Sequence, residues 1–337
     1  MTRSVTVVIP AHNCEHEIDG CLHSVFAQTC PPAKVIVVND ASTDRTGERL
    51  ADWQRPNLTV LDREMPGAGG YAARNLAVRA AQTPWVAFLD ADDAWEPDHL
   101  AVLGWGLDAY PEVSFAATGR RDVTDGPGSP GALDRLTLTA TTPWELLDLG
   151  CYVDYAARGM EPILTSCVIM SRGLFEAAGG FSEQGFRRGG DADLWLRAIA
   201  ATGTALRIHR PTCQYWKKRR GSVTAVRRNA IGKHPIVATA ARIAADLPDA
   251  DTRRKLYTFA QEKQFRWLQD TGGLKGRMTA LRTVSFRALT CRGRVKFIAF
   301  LTGVSAASGV FKALEHRLFK GRHLVAPTKN AHSATRS

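Results

Sequence analysis

The sequence predicts an α/β fold: a mostly parallel central sheet flanked by helices, continued by a basic helical extension. Three observations carry that expectation. Short apolar runs rich in β-branched residues alternate with segments of helical period over roughly the first 95 residues. Those runs are apolar throughout rather than alternating, which is the pattern of strands buried on both faces. Charge also divides along the chain: residues 1–206 hold 16 Lys and Arg against 27 Asp and Glu, whereas residues 207–337 hold 28 against 6.

The elements follow in order. VTVVIPA (5–11) reads as a buried strand ended at its proline. Ile18, Cys21, Leu22, Val25 and Phe26 have helical spacing within residues 15–28. AKVIVVND (33–40) is a second strand, and STDRTGERLADW is a helix with Ser42 or Thr43 placed to cap it. LTVLDR (58–63) is a third strand, GYAARNLAVRAA an Ala-rich helix, and WVAFLD (85–90) a fourth strand. In parallel sheets of this kind ligands sit beyond the carboxyl ends of the strands. That rule places Pro10–Asn13, Asn39–Asp44 and Asp90–Asp93 on one rim.

Composition narrows the class. Of 337 residues, 45% are hydrophobic, a globular rather than disordered balance. Seven cysteines, an odd number without metal-ligand spacing, argue against a zinc site or a disulfide framework and for free thiols. MTRSVTVVIPAHN lacks the shape of a signal peptide. The strongly basic second half calls for an anionic partner. No aromatic platform or nucleic-acid motif accompanies it, so nucleic acid is not the expected one.

Asp90, Asp92 and Asp93 fall within four residues. Like charges at that spacing repel unless a cation sits among them. A hard divalent ion, Mg²⁺ or Mn²⁺, takes oxygen ligands and bridges to phosphates. On spacing alone, an acidic loop of helix-capping aspartates remains the alternative. GAGGYA (67–72) fits a dinucleotide-binding pattern but does not lie in the first strand–helix turn, so it reads as a flexible loop or as a cradle for another ligand.

Taken in order, VTVVIPAHNCEHEIDGCLHSVFAQT, VIVVNDASTDRT, ARN and FLDADD resemble the N-terminal half of family 2 glycosyltransferases, which have the GT-A fold. The resemblance implies that Pro10, Ala11 and His12 lie against the nucleoside, with Asn13 and Glu15 matching an Asn-x-Glu element. Asp40 would accept from the N3–H of uracil or thymine, and Arg74 would sit near the diphosphate. Asp90 and Asp92 would form the Asp-x-Asp element, Asp92 being the direct metal ligand. The segment 165–200 resembles the acceptor region of the same family, where the usual Glu-Asp-x-Asp-Leu-Trp reads Gly190-Asp191-Ala192-Asp193-Leu194-Trp195. Asp191 then stands where the catalytic base is found, and Asp193 reads as structural. A His-containing stretch of the family is matched by YWKKRRGSVT (215–224), where Lys218 and Arg219 replace the His. They read either as direct contacts to the diphosphate or as a solvated basic loop.

Residues beyond about 225 read as helices. The apolar stretch 297–311, flanked by Lys296 and Lys312, is too short to span a bilayer. It reads as an interfacial helix on anionic lipid or as a hairpin packed on the core. The expected organisation is a GT-A domain over 1–222 (nucleotide-sugar half 1–110, acceptor half 111–222), a helical basic extension over 223–325 and a disordered tail from 326. The expected activity is inverting transfer from a nucleotide-diphospho-sugar to a glycan or lipid-linked hydroxyl, in the cytoplasm at the inner membrane face. A non-catalytic binding protein of the same fold and a sugar nucleotidyltransferase are the alternatives. The second lacks its Gly-rich, Lys-bearing loop in PAHNCE.

Overall fold

The computed structural model describes residues 3–124, 126–137, 140–183, 188–216, 234–269 and 273–302. In chain order the described elements are β1 (Val5–Ala11), α1 (Ile18–Phe26), β2 (Lys34–Asp40), α2 (Thr46–Ala51), β3 (Leu58–Arg63), α3 (Tyr71–Ala80), β4 (Trp85–Phe88) and β5 (Ala94–Trp95). Then come α4 (His99–Ala109), β6 (Phe115–Val123), β7 (Ser129–Pro130), α5 (Ala132–Thr137), β8 (Trp144–Asp148), α6 (Leu149–Ala157), β9 (Val168–Ser171) and α7 (Arg172–Ala177). The last are α8 (Gly190–Thr202), β10 (Thr204–Trp216), α9 (Ile236–Asp246), α10 (Ala250–Gln269), α11 (Gly273–Thr283) and α12 (Cys291–Thr302).

The strands form one sheet in the order β3-β2-β1-β4-β9-β6-β10-β5, with β7 added to β6 and β8 to β10. β3, β2, β1 and β4 are mutually parallel, as are β6 and β10. β9 runs antiparallel to both of its neighbours and joins the two parallel parts. The chain order reverses at β1, which lies between β2 and β4. That reversal opens a crevice beyond the strand ends, the usual place for a ligand in an open α/β sheet.

The apolar runs are explained by burial on both faces. Val8, Ile36, Val38 and Phe88 point to one side, where α3 and α8 pack. Val7, Ile9, Val35, Val37, Ala87 and Leu89 point to the other, against α1 and α4. The first side is stiffened by rings: Phe88 lies 5.9 Å from Phe175, 5.5 Å from Phe181 and 6.3 Å from Trp195. Each such pair contributes about 0.5–1.5 kcal/mol beyond its area.

One expectation is corrected here. Ser42 and Thr43 do not cap α2; the Thr46 amide donates instead to Asp44 Oδ1 at 3.0 Å, and Ser42 Oγ accepts from the Asn13 amide. The extension packs on the sheet domain. Ile236, Ala240, Leu256, Phe259 and Ala260 of α9 and α10 belong to the same core as Phe88 and Trp195. The expected interfacial stretch begins inward: Phe297 is 4% exposed and packs 5.2 Å from the Phe265 ring. Its remainder past Thr302 lies outside the described residues. Among the described residues, no helix is long and apolar enough to cross a membrane. All seven cysteines are free thiols.

Candidate active site

The rim is built first from two loops laced together. After β1 the chain turns through Asn13 at φ 50°, and after β2 through Ala41 at φ 53°. Asn adopts this left-handed conformation readily because its short amide can bond locally. Asn13 Oδ1 accepts from the Thr43 amide at 2.8 Å, and Glu15 Oε2 accepts from the Arg45 amide at 3.0 Å. The Cys14 amide donates to Thr46 Oγ1 at 2.8 Å. These bonds satisfy loop amides that no strand partner reaches. They also hold the mouth of the crevice at a fixed width.

His12 Nδ1 lies 2.7 Å from the Asp40 carbonyl, which sets the ring's orientation while leaving the ring exposed. The Asp40 carboxylate itself is buried. It pairs with Arg63 of β3 and accepts from the Gly67 amide at 3.0 Å. The glycine segment 67–70 thus packs against the ends of β1 and β2. Gly69 and Gly70 adopt φ of 68°, and a Cβ at Gly70 would sit 3.3 Å from Pro10 Cβ. Glycine lets the chain pass this close and enter α3 at Tyr71.

Beyond β4 the three carboxylates come together, with one oxygen of each within 4.8 Å of the others. Each has a different surrounding. Asp90 pairs with the buried Arg74 of α3. Asp93 is anchored: Oδ2 accepts from Ser166 Oγ at 2.5 Å and Oδ1 from the Trp216 amide at 3.2 Å. The same Ser166 oxygen accepts from the Asp90 amide. Asp92 is pushed up to about 6 by burial and then by Asp90. An all-oxygen set with a deficit of positive charge fits a hard divalent ion, which Asp92 and Asp90 would hold. Asp93 supports them from behind.

Asp191 begins α8. Burial raises its pKa above the usual carboxylate range, opposed mainly by the nearby Lys263 and by the Ala192 amide. Lys263 comes from α10, deep in the basic extension, and burial lowers its own pKa. Gly190, where the resemblance leads one to look for Glu, abuts a ring. Its amide donates to Tyr71 Oη at 2.9 Å, and a Cβ there would meet Tyr71 ring carbons at 2.8–3.1 Å. Asp193 is buried and pairs with Arg197 at 2.8 Å, and Arg197 also donates to the carbonyls of Ala178 and Gly180. Its structural reading therefore has a partner.

With the geometry in place, residues 6–138 match the family model described as glycosyl transferase family 2. This part of the chain is similar to family 2 glycosyltransferases. A relative from Escherichia coli, named UDP-Glc:alpha-D-GlcNAc-diphosphoundecaprenol beta-1,3-glucosyltransferase WfgD, is 33% identical over 96 residues, covering 28% of this chain and 38% of its own. A relative from Bacillus subtilis, the putative teichuronic acid biosynthesis glycosyltransferase TuaG, is 37% identical over 100 residues, with the same coverage of 28% and 38%. The chain spans well under half the length of these curated relatives. The fold is that of S. aureus TarS 1-349, solved in complex with UDP-GlcNAc: TM-score 0.67, 17% identity, 96% of this chain and 93% of that one. It is a GT-A fold.

Within the matched segment, Pro10, Ala11, His12, Asp40, Arg74, Asp90 and Asp92 all gather along the crevice. Asn13 and Glu15 reach it too, with their side chains tied to the neighbouring loop. Lys218 and Arg219 lie outside the described residues. Sequence reasoning missed Tyr71, Lys263, Arg63 and Ser166. Tyr71 alone carried a local signal, since it follows the glycine segment directly.

Proposed function

We propose that this chain transfers a sugar from a nucleotide-diphospho-sugar, UDP- or dTDP-linked, to a hydroxyl of a cell-surface glycan or lipid-linked saccharide. The reaction is an inverting single displacement. The observation that carries this reading is the pairing of an oxygen-rich acidic cluster at 90–93 with a base candidate, Asp191, whose pKa burial raises. Names among the relatives, for teichuronic acid biosynthesis and for a diphosphoundecaprenol acceptor, support the acceptor class.

In this reading the exposed face of His12, with Pro10 and Ala11, receives the nucleoside base. Asp40, held by Arg63 and Gly67, accepts from the base's N3–H. Asp92 and Asp90 hold Mg²⁺ or Mn²⁺, and a divalent ion there supplies Lewis-acid stabilisation of the leaving diphosphate. A GT-A neighbour, the Pyrobaculum calidifontis mannosyltransferase PcManGT, was solved with GDP-Man and Mn2+ (TM-score 0.55, 22% identity). Arg74 keeps Asp90 turned into the crevice, and Lys218 and Arg219 add cations near the diphosphate. Asp191 takes the acceptor's proton as the oxygen attacks the anomeric carbon from the face opposite the nucleotide. A raised pKa makes it a stronger base than an ordinary aspartate. The extension meets an anionic membrane surface through exposed Leu281 and Phe286 beside Arg282 and Arg287. The protein works as a peripheral enzyme at the inner face of the membrane.

The test is calorimetric binding of UDP with and without Mn²⁺, on wild type and Asp92→Ala. Binding that needs the metal and disappears in the variant is expected. It should weaken as pH falls through about 6, because protons then compete for Asp92. No binding of UDP, dTDP or GDP under any condition would remove the nucleotide-sugar reading.

A further inference from the structure

The first turn of α3 touches both halves of the crevice. Arg74 reaches one way, to Asp90. Tyr71, one turn earlier, reaches the other way, and its hydroxyl accepts the Gly190 amide at 2.9 Å. That amide is at the start of α8, where a helix's first N–H groups have no partner within the helix. The ring also fills the space a side chain at 190 would need, with its carbons 2.8–3.1 Å from an ideal Cβ. It is locked in turn, stacked on Phe181 at 5.6 Å and lying under the Arg74 guanidinium at 5.9 Å. Tyr71 is 5% exposed, so it has no room to swing away.

We infer that Tyr71 is a positioning residue for Asp191: through its bond to the Gly190 amide, the first turn of α3 sets the base at a fixed place relative to Asp90 and Asp92. The inference rests on the reading of Asp191 as base. It also accounts for glycine at 190. The phenol occupies the place of a side chain there and supplies the polar contact that the helix start requires. Two sites 119 residues apart in sequence, 71 and 190, thereby share one strut with Arg74. Placement matters because a base displaced by about 1 Å loses on the order of 100-fold in rate.

The groups facing Asp191 from other elements include Lys263 of α10, Tyr152 of α6, Glu161, Arg74 and Tyr71. A change at Tyr71 that leaves the others in place isolates its effect. The experiment measures nucleotide release from the best substrate of a panel of UDP- and dTDP-sugars, across pH, for wild type, Tyr71→Phe, Gly190→Ala, Tyr71→Leu/Gly190→Ala and Asp191→Asn. Tyr71→Phe keeps the ring and removes only the acceptor oxygen. Its kcat should fall about 10–100-fold while UDP affinity with Mn²⁺ stays within about twofold. Its acid limb should move to lower pH, as water reaches Asp191 and relieves the burial that raises it. Gly190→Ala should lose comparable activity and recover none of it in the Tyr71→Leu background, which removes the clash and the hydroxyl together; recovery there would assign the loss to packing alone and overturn the role of the hydroxyl. Tyr71→Phe with wild-type kcat and acid limb, while Asp191→Asn is inactive, overturns the role of Tyr71 alone. Asp191→Asn at wild-type rate overturns the base reading and the inference with it.

Discussion

The two acidic sites of the crevice are stabilised in opposite ways. At 90–93 the carboxylates come from one loop and are held by an ion pair and hydrogen bonds: Arg74 of α3, Ser166 Oγ and the Trp216 amide. At 191 a single carboxylate stands at a helix start with no ion pair or side-chain hydrogen bond of its own among the described residues, and the cation that most favours its charged form is Lys263 of α10. A local cluster concentrates charge and calls for a cation. A lone carboxylate in a poorly solvated place keeps its proton longer and is suited to take one. The difference separates an electrostatic support from a base, although both are built from aspartate.

Breaking the base gives the largest effect. Asp191→Asn keeps the shape of the side chain and removes its basicity, so turnover should fall about 10²–10⁴-fold with UDP affinity unchanged. Steady-state kinetics beside calorimetry would show that split, and loss of both together would instead mean a folding defect. Breaking the support beneath the cluster is milder in rate and visible in stability. Ser166→Ala leaves Asp93 Oδ2 and the Asp90 amide without a partner, costing about 1–3 kcal/mol in denaturant melts. The melt of this variant should also be more sensitive to raising the pH. Burial already raises Asp93, and without the hydroxyl's bond its ionised form becomes still less favourable in the folded state.

The smallest change sharpens the comparison most. Lys263→Met removes the cation that favours ionised Asp191 while keeping much of the side chain's bulk. Burial then acts unopposed by it, the folded-state pKa of Asp191 rises, and the acid limb of the turnover profile moves to higher pH. An acid limb that stays in place would mean that the extension plays no electrostatic part at the base. This shift is opposite in sign to that expected for Tyr71→Phe, so the two variants read different neighbours of one carboxylate.

Much of this was legible in the residues themselves. Strand burial on both faces writes itself as unbroken apolar runs, and β1 to β4 were found where VTVVIPA, AKVIVVND, LTVLDR and WVAFLD stand. The acids after β4 were visible as a candidate ligand site because charge at a buried strand's end calls for an explanation. Local capping was misread at α2, since Ser42, Thr43 and Asp44 are all able to accept an amide. The loop after β1 took up Ser42 and Thr43, leaving Asp44 to Thr46.

By itself the sequence determined the alternating α/β order, the rim on which the carboxylates lie and the division of charge between the halves. These follow from short-range periodicity and from strand direction, which a chain carries in its spacing. Only the tertiary structure decided that β9 runs antiparallel between two parallel parts, that Tyr71 meets Gly190, and that Lys263 approaches Asp191. Those contacts join segments far apart in the chain. Their partners are chosen by how the faces of α3, α8 and α10 fill space against the sheet, and no local pattern of residues encodes that choice.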